Sequence, residues 1–259
     1  MKVFRYSTLS DAHKCLRFFE LKHIKGMDDG SDKSGDMAFG TTIHAAIQDL
    51  FEIGNGTDVF SDLWGAQKNV ELEYSRYKWE DLRALGETLI SIFRDEHQDK
   101  FVPQYLEKRL ETRLARTSAD GDNLLQFNYH GTVDFLGTFN GIPSVVDWKT
   151  SAMPYDRFKI QCNEQMYGYA NLAKHCLGFD AQQVVYAVAI KDMKNPKWQF
   201  RTAPLSDKIV QSKIDNIFDT AMSLQQGPYY KNPNQCVVGK RVCPFFNTCH
   251  GGDSGKEGA

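Results

Sequence analysis

The chain has 259 residues, 41% of them hydrophobic and 25% charged, enough for one substantial core or a core with a subdomain. No apolar run approaches the roughly 20 residues that cross a bilayer, and Met1-Lys-Val-Phe-Arg-Tyr-Ser lacks the apolar stretch of a secretory signal, so a soluble cytoplasmic protein is expected. A net charge of −2 excludes a surface coated in basic charge for indiscriminate nucleic-acid binding, while leaving room for a local basic groove.

Leu9, Ala12, Leu16 and Phe19 recur at helical spacing, predicting a first helix capped by Ser7 and carrying Cys15. Gly26 to Gly35 holds Gly, Ser and Asp with almost nothing apolar and reads as a loop. Helical spacing resumes from Ala38 to about Glu52, with His44 beside the stripe of Phe39, Ile43, Ala46, Ile47 and Leu50. Gly54-Asn-Gly56 ends it, and two more helices are expected at roughly 61–77 and 80–101. From Pro103 the period changes. Residues 105–115, 124–129, 131–139 and 142–149 read as an antiparallel meander with turns at Ala119-Asp-Gly-Asp-Asn and Asn140-Gly. Residues 157–177 are helical with Gly178 as the stop, 184–190 and 198–202 are strands, and 206–226 is an amphipathic helix. The expected organisation is one elaborated domain over 1–250, with a helical part at about 7–101, a sheet and catalytic core at about 103–227, and a cysteine loop at 228–250. A disordered tail at 251–259 follows.

Asp147 and Lys149 stand two apart on a predicted strand and so project to one face. Asp147 can ligate a cation while Lys149 reaches the same water or phosphate, and Asp134 on the neighbouring strand closes the cation from another side. Oxygen ligands suit Mg²⁺ and Mn²⁺. The alternative, which so short a pattern permits, is that both aspartates end strands at solvent and Lys149 is a surface charge. Context favours the site: Asp147-Trp-Lys149 emerges directly from apolar Val145-Val146, and Gln165 and Tyr169 place an amide and a phenol four apart on one helix face.

Gly40-Thr-Thr-Ile-His44, Gly131-Thr-Val-Asp134, Asp147-Trp-Lys149 and Gln165-Met-Tyr-Gly-Tyr169 resemble, in order and spacing, the motifs of the RecB-like branch of the PD-(D/E)XK nucleases, over about residues 7 to 249. The resemblance implies a restriction-endonuclease-like α/β core, a mixed central sheet flanked by helices with a helical N-terminal part. It further implies that His44, Asp134, Asp147 and the backbone carbonyl of Trp148 hold Mg²⁺ or Mn²⁺. Lys149 then orients or deprotonates the attacking water and stabilises charge on the phosphate, while Gln165 and Tyr169 touch DNA or brace the site. Glu107 resembles the acidic residue such enzymes carry upstream, although it also reads as a strand-edge charge balanced by Lys108 and Arg109. The implied function is a metal-dependent DNA nuclease. It would be an exonuclease acting on ends or single strands in recombination, repair or phage DNA metabolism, with recombination or replication proteins as partners, in the host cytoplasm if phage-encoded. The alternatives are a non-catalytic nucleic-acid-binding module on the same fold and a zinc-stabilised interaction protein.

Of six cysteines, Cys236, Cys243 and Cys249 cluster near the C-terminus, and with Cys15 they can complete a Cys₄ shell for zinc or an iron–sulfur cluster. The same order occurs in the branch that includes Cas4 and the AddB nuclease domain, which implies a structural [4Fe–4S] cluster. Six residues separate Cys236 from Cys243 where those relatives usually have two, leaving zinc open. Cys162 and Cys176 read as buried thiols. Lys231, Lys240 and Arg241 border the cysteine loop, and Tyr229-Tyr230 read either as base-stacking residues or as part of a solvated loop.

Overall fold

The computed structural model describes residues 3–117, 124–239 and 241–251; the turn expected at 119–123, Lys240 and the tail from residue 252 lie outside them. In chain order the elements are β1 (Val3–Arg5), α1 (Tyr6–Lys14), α2 (Leu16–Phe19), α3 (Gly35–Glu52), α4 (Gly56–Ala66) and α5 (Trp79–Glu96). They continue as β2 (Phe101–Thr117), β3 (Leu124–Phe139), β4 (Ile142–Ser151), α6 (Lys159–Cys162), α7 (Glu164–Leu177), β5 (Gln183–Ile190) and β6 (Lys197–Pro204). Last come α8 (Asp207–Gln226), β7 (Val237–Val238), β8 (Arg241–Val242) and α9 (Phe246–His250). The residues group into two compact units, one of 1–31, 113–129 and 216–259, the other of 32–112 and 130–215.

The larger unit is built on a mixed sheet. Asn140 and Gly141 both have positive φ (51° and 77°), the backbone a two-residue hairpin needs, and they set β3 antiparallel to β4 from Phe139↔Ile142 onward. From β4 the chain crosses through α7 and returns as β5, parallel to β4, and β6 then closes antiparallel to β5. The expected antiparallel pairing of the last two meander strands is the β3–β4 hairpin, and β2 pairs with β3 beside it. Residues 124–129 and 131–139 form one continuous strand, because His130 keeps the extended backbone that a two-strand reading would turn.

Alternation along β4 sends Val146 and Trp148 into a core built with α3, α4 and α5, and turns Asp147 and Lys149 the other way. Trp148 packs in an aromatic cluster with Phe93 and Phe101, ring centres 5.5 and 5.4 Å away. Helices α4 and α5 meet at Gly86, where a Cβ would stand 1.8 Å from the Phe60 ring, so the helices approach at that distance only with glycine there. The expected helix at 61–77 starts five residues earlier, at Gly56, and ends at Ala66. The stacked indoles of Trp64 and Trp79 exchange hydrogen bonds to each other's backbone carbonyls and pin the irregular link that follows.

In the smaller unit, β1 pairs with β3, and Phe127 meets Phe4 edge-on and Phe218 at a tilt, each with ring centres 5.4 Å apart. The first helix is not capped by Ser7, which lies inside α1, and it does not carry Cys15. Cys15 is extended (φ −163°, ψ 121°) and separates α1 from α2. The segment at 230–232 takes over the bonds a continuous helix would make: the Tyr230 carbonyl accepts the Arg17 amide, and Asn232 donates to the Lys14 carbonyl and to the Cys15 sulfur.

Candidate metal centre

The β3–β4 ladder runs from the hairpin to Phe135↔Val146 and stops one residue short of Asp134 and Asp147. There the Asp134 carboxylate takes the Trp148 amide at 2.9 Å in place of a backbone carbonyl, so the strands fork where their acidic residues lie. Into the fork come His44 from α3, its Nδ1 3.4 Å from Asp134, and Glu107 from β2. His44, Glu107 and Asp134 each offer a ligand atom within 4.8 Å of one another, the only such three-residue group of His, Cys, Asp and Glu among the described residues. Glu107 has φ 44°, an uncommon conformation for a non-glycine residue, and this break in β2 departs from a regular strand edge balanced by Lys108 and Arg109.

Asp147 is outside that three-residue group. Its buried Oδ2 meets the Lys149 ammonium at 2.6 Å. On α7, Gln165 donates to the Tyr169 hydroxyl at 2.8 Å, and the Tyr169 ring lies on the backbone of Gly131. A Cβ at Gly131 would sit 2.5 Å from that ring, which explains why a glycine opens the segment leading to Asp134. Tyr169 is itself buried and has no room to swing away. Gly131→Ala is accordingly expected to lower stability by about 1–3 kcal/mol, the usual cost of overpacking, and to displace the Gln165–Tyr169 pair. A denaturant melt read beside the cleavage rate checks this, and an unchanged midpoint would contradict it.

Three carboxylates against one ammonium leave a net negative charge under cover, and the titration behaviour follows. Burial and the neighbouring Asp147 charge push Asp134 well above the usual carboxylate range, with Lys149 pulling the other way. Glu107 is raised by burial and by Asp147. Burial disfavours the Lys149 cation, but Asp147 and Asp134 outweigh it and hold the ammonium above its ordinary value. Burial pushes the His44 imidazole down against the pull of Asp147, so it stays neutral and able to ligate at neutral pH. Burial and Asp147 raise the Tyr169 phenol. A nitrogen and several oxygens around uncompensated negative charge fit a hard divalent cation. A cavity of about 430 Å³ opens beside His44 and Glu107, lined also by Thr41, Ala45 and Gln48. Thr41 and Gln48 stand three before and four after His44 and so share its helix face, a spacing that is the sequence signal for these two lining residues.

In the smaller unit Cys15, Cys236, Cys243 and Cys249 line one cavity of about 530 Å³ with Phe18, Phe245 and the exposed valines Val238 and Val242. The six residues between Cys236 and Cys243 are taken up by the β7–β8 hairpin, turned at Gly239 (φ 62°), and the Cys243 amide bonds the Cys236 carbonyl at 2.8 Å. The longer spacing therefore leaves the two cysteines adjacent. Burial pushes the Cys243 thiol up, and the other three cysteines add to the effect. Cys162 and Cys176 are exposed rather than buried, because they fall on the solvent faces of α6 and α7. Tyr229 is engaged internally, its hydroxyl on the Leu224 carbonyl and its ring 5.9 Å from Phe19, which leaves Tyr230 as the exposed member of the pair.

A mixed sheet flanked by helices, with carboxylates, a histidine and a lysine gathered where two strands fork, is consistent with a PD-(D/E)XK nuclease fold whose His44–Glu107–Asp134 group could hold a metal. Residues 4–250 match the family model of the PD-(D/E)XK nuclease superfamily, and the chain belongs to that superfamily. A protein from Eubacterium rectale called a "putative exonuclease" has the same fold at a TM-score of 0.54, with 14% identity over 95% of this chain and 92% of that one. A second structure, called SSO0001, is 14% identical over 74% of this chain and 77% of its own, at a TM-score of 0.31 too low to carry an argument. No curated protein matches the sequence. The chain is a nuclease, hence a hydrolase acting on nucleic acid, and no helix among the described residues is long and apolar enough to cross a membrane.

Proposed function

We propose that this nuclease is a Mg²⁺- or Mn²⁺-dependent deoxyribonuclease of the RecB-like branch that digests DNA from free ends, in recombination, repair or phage DNA metabolism. The observation that carries the reading is the convergence of His44, Glu107 and Asp134 within 4.8 Å beside the Asp147–Lys149 ion pair. His44, Glu107, Asp134 and Asp147 would hold the cation together with the Trp148 carbonyl. A cation bound there would supply charge to the phosphoryl oxygen and acidity to a water. Lys149, anchored on Asp147, orients that water and donates to the phosphate, so charge developing in the transition state meets a fixed cation. Gln165 and Tyr169 hold each other in place and brace the site. End-labelled single- and double-stranded DNA, each linear and circular, incubated with Mg²⁺ or Mn²⁺, tests the proposal. Digestion confined to linear molecules is the expected result, and cleaved circles would remove the exonuclease assignment.

The cysteine cavity favours a second component, a [4Fe–4S] cluster. Zinc at tetrahedral angles and a Zn–S length of about 2.3 Å needs sulfurs about 3.8 Å apart, whereas no three of these sulfurs come within 4.8 Å of one another. The larger cluster suits four thiols spread around a cavity. Cys15→Ala is expected to abolish iron binding and to lower the melting temperature together, read by iron analysis and visible absorbance of anaerobically purified protein. Colourless, iron-free wild-type protein would remove the cluster.

A further inference from the structure

The segment that follows β4 carries exposed groups that the chemistry above does not use. Phe158 is 51% exposed and Met153 68%. The Arg157 guanidinium lies 4.5 Å from the Phe158 ring centre, and neither Arg157 nor Lys159 pairs with a carboxylate among the described residues. This is not slack chain. The Tyr155 amide bonds Gln199 at 2.7 Å, Arg201 bonds the Tyr155 carbonyl at 2.8 Å, the Phe158 amide is held by Asp156, and Ile160 is buried beneath. The loop therefore presents Phe158 to solvent by construction.

A row of cations and rings links the loop to the candidate centre. The Lys149 ammonium stands 6.0 Å from the Tyr186 ring centre, Tyr155 meets Tyr186 edge-on at 5.8 Å, and the Lys159 ammonium lies 3.4 Å from the Tyr155 ring centre. Unpaired cations beside an exposed ring are a poor seat for an apolar protein surface. They match an unpaired base between two phosphates, because the ring offers a stacking face and the cations neutralise the backbone. A duplex hides its base faces and offers only its ends.

We infer that residues 153–159 hold a single-stranded segment leading into the site, with Phe158 stacked on an unpaired base and Arg157 and Lys159 on the flanking phosphates. The inference rests on the nuclease reading and deepens it by naming unpaired nucleic acid as the substrate form gripped at this loop. The test is fluorescence anisotropy in EDTA with a labelled single strand, a blunt duplex of equal length, and a single strand bearing abasic positions. Phe158→Ala is expected to weaken single-strand binding about 10-fold or more, as loss of one stacked base does, with duplex binding changed less than about 2-fold; Phe158→Trp should retain the affinity. Wild-type protein should lose affinity for the abasic strand, and Phe158→Ala should not distinguish it from the intact one. Arg157→Ala and Lys159→Ala should each reduce the salt slope on single strands by about 0.7. Wild-type protein that binds single strands no better than duplex, or a Phe158→Ala variant that binds them as wild type does, overturns the inference. Failure of wild-type protein to cleave any nucleic acid with Mg²⁺ or Mn²⁺ instead overturns the nuclease reading, independently of these affinities.

Discussion

Asp147→Ala is expected to reduce DNA cleavage by about 10³-fold or more, the scale of losing a charged group that acts on the transition state, while the protein stays folded. The geometry gives Asp147 two tasks at once. It belongs to the negative charge that holds the cation, and it anchors Lys149 at 2.6 Å. Truncation removes both, leaving the ammonium with Asp134 as its remaining carboxylate neighbour. The fold survives because Trp148, whose side chain fills the aromatic core, is untouched, and because Lys149 is partly exposed and can turn to solvent. Turnover of end-labelled DNA measured beside a circular-dichroism melt decides it, and a near-wild-type rate would refute the assignment of Asp147. Lys149→Met should lose activity on the same scale, because the anchored cation has no substitute among the groups around the fork.

Asp134→Asn should move activity and stability in opposite directions. In metal-free protein the folded state raises the Asp134 pKa through burial and the Asp147 charge. A carboxyl whose folded pKa exceeds its unfolded value of about 3.9 contributes stability below that value, and the contribution is lost as pH rises toward the folded pKa. Wild-type protein in EDTA should therefore lose stability from about pH 4 upward at this residue, with Glu107 adding a smaller effect of the same sign. Asparagine cannot ionise, yet its side-chain oxygen can still accept the Trp148 amide, so the variant escapes the loss. At neutral pH in EDTA it should melt above wild type, by about 2–4 °C for each kcal/mol relieved, while cleavage with Mn²⁺ disappears. Added Mn²⁺ should raise the wild-type melting temperature and leave that of the variant nearly unchanged. A variant that melts below wild type in EDTA would show that the carboxylate repulsion is not the dominant local term.

Asp134 and Asp147 also show how much of the site is legible in the amino-acid order alone. Strand period two puts Asp147 and Lys149 on one face, and helix period 3.6 puts Gln165 and Tyr169 on one face; both hold because each depends only on local backbone geometry. The Asn140-Gly141 turn is legible for the same reason, since positive φ at two successive positions selects those residues. Glu107 is not decidable in that way, because its place beside His44 depends on a positive-φ break in β2 that no periodicity records. Cys162 and Cys176 depart from the expected burial because a thiol's exposure depends on what its helix face meets.

Local sequence therefore set the elements, the faces and the order of the acidic residues, since these follow from side-chain period, turn chemistry and glycine placement within a few residues. Only the tertiary arrangement decided that β3 and β4 part at Asp134, that 124–139 is one strand, and that a hairpin keeps Cys236 beside Cys243. It alone decided that α1 yields to the 230–232 segment at Cys15. Each of those outcomes is settled by competition for backbone hydrogen bonds between segments distant in the chain, and a local pattern carries no information about which partner wins.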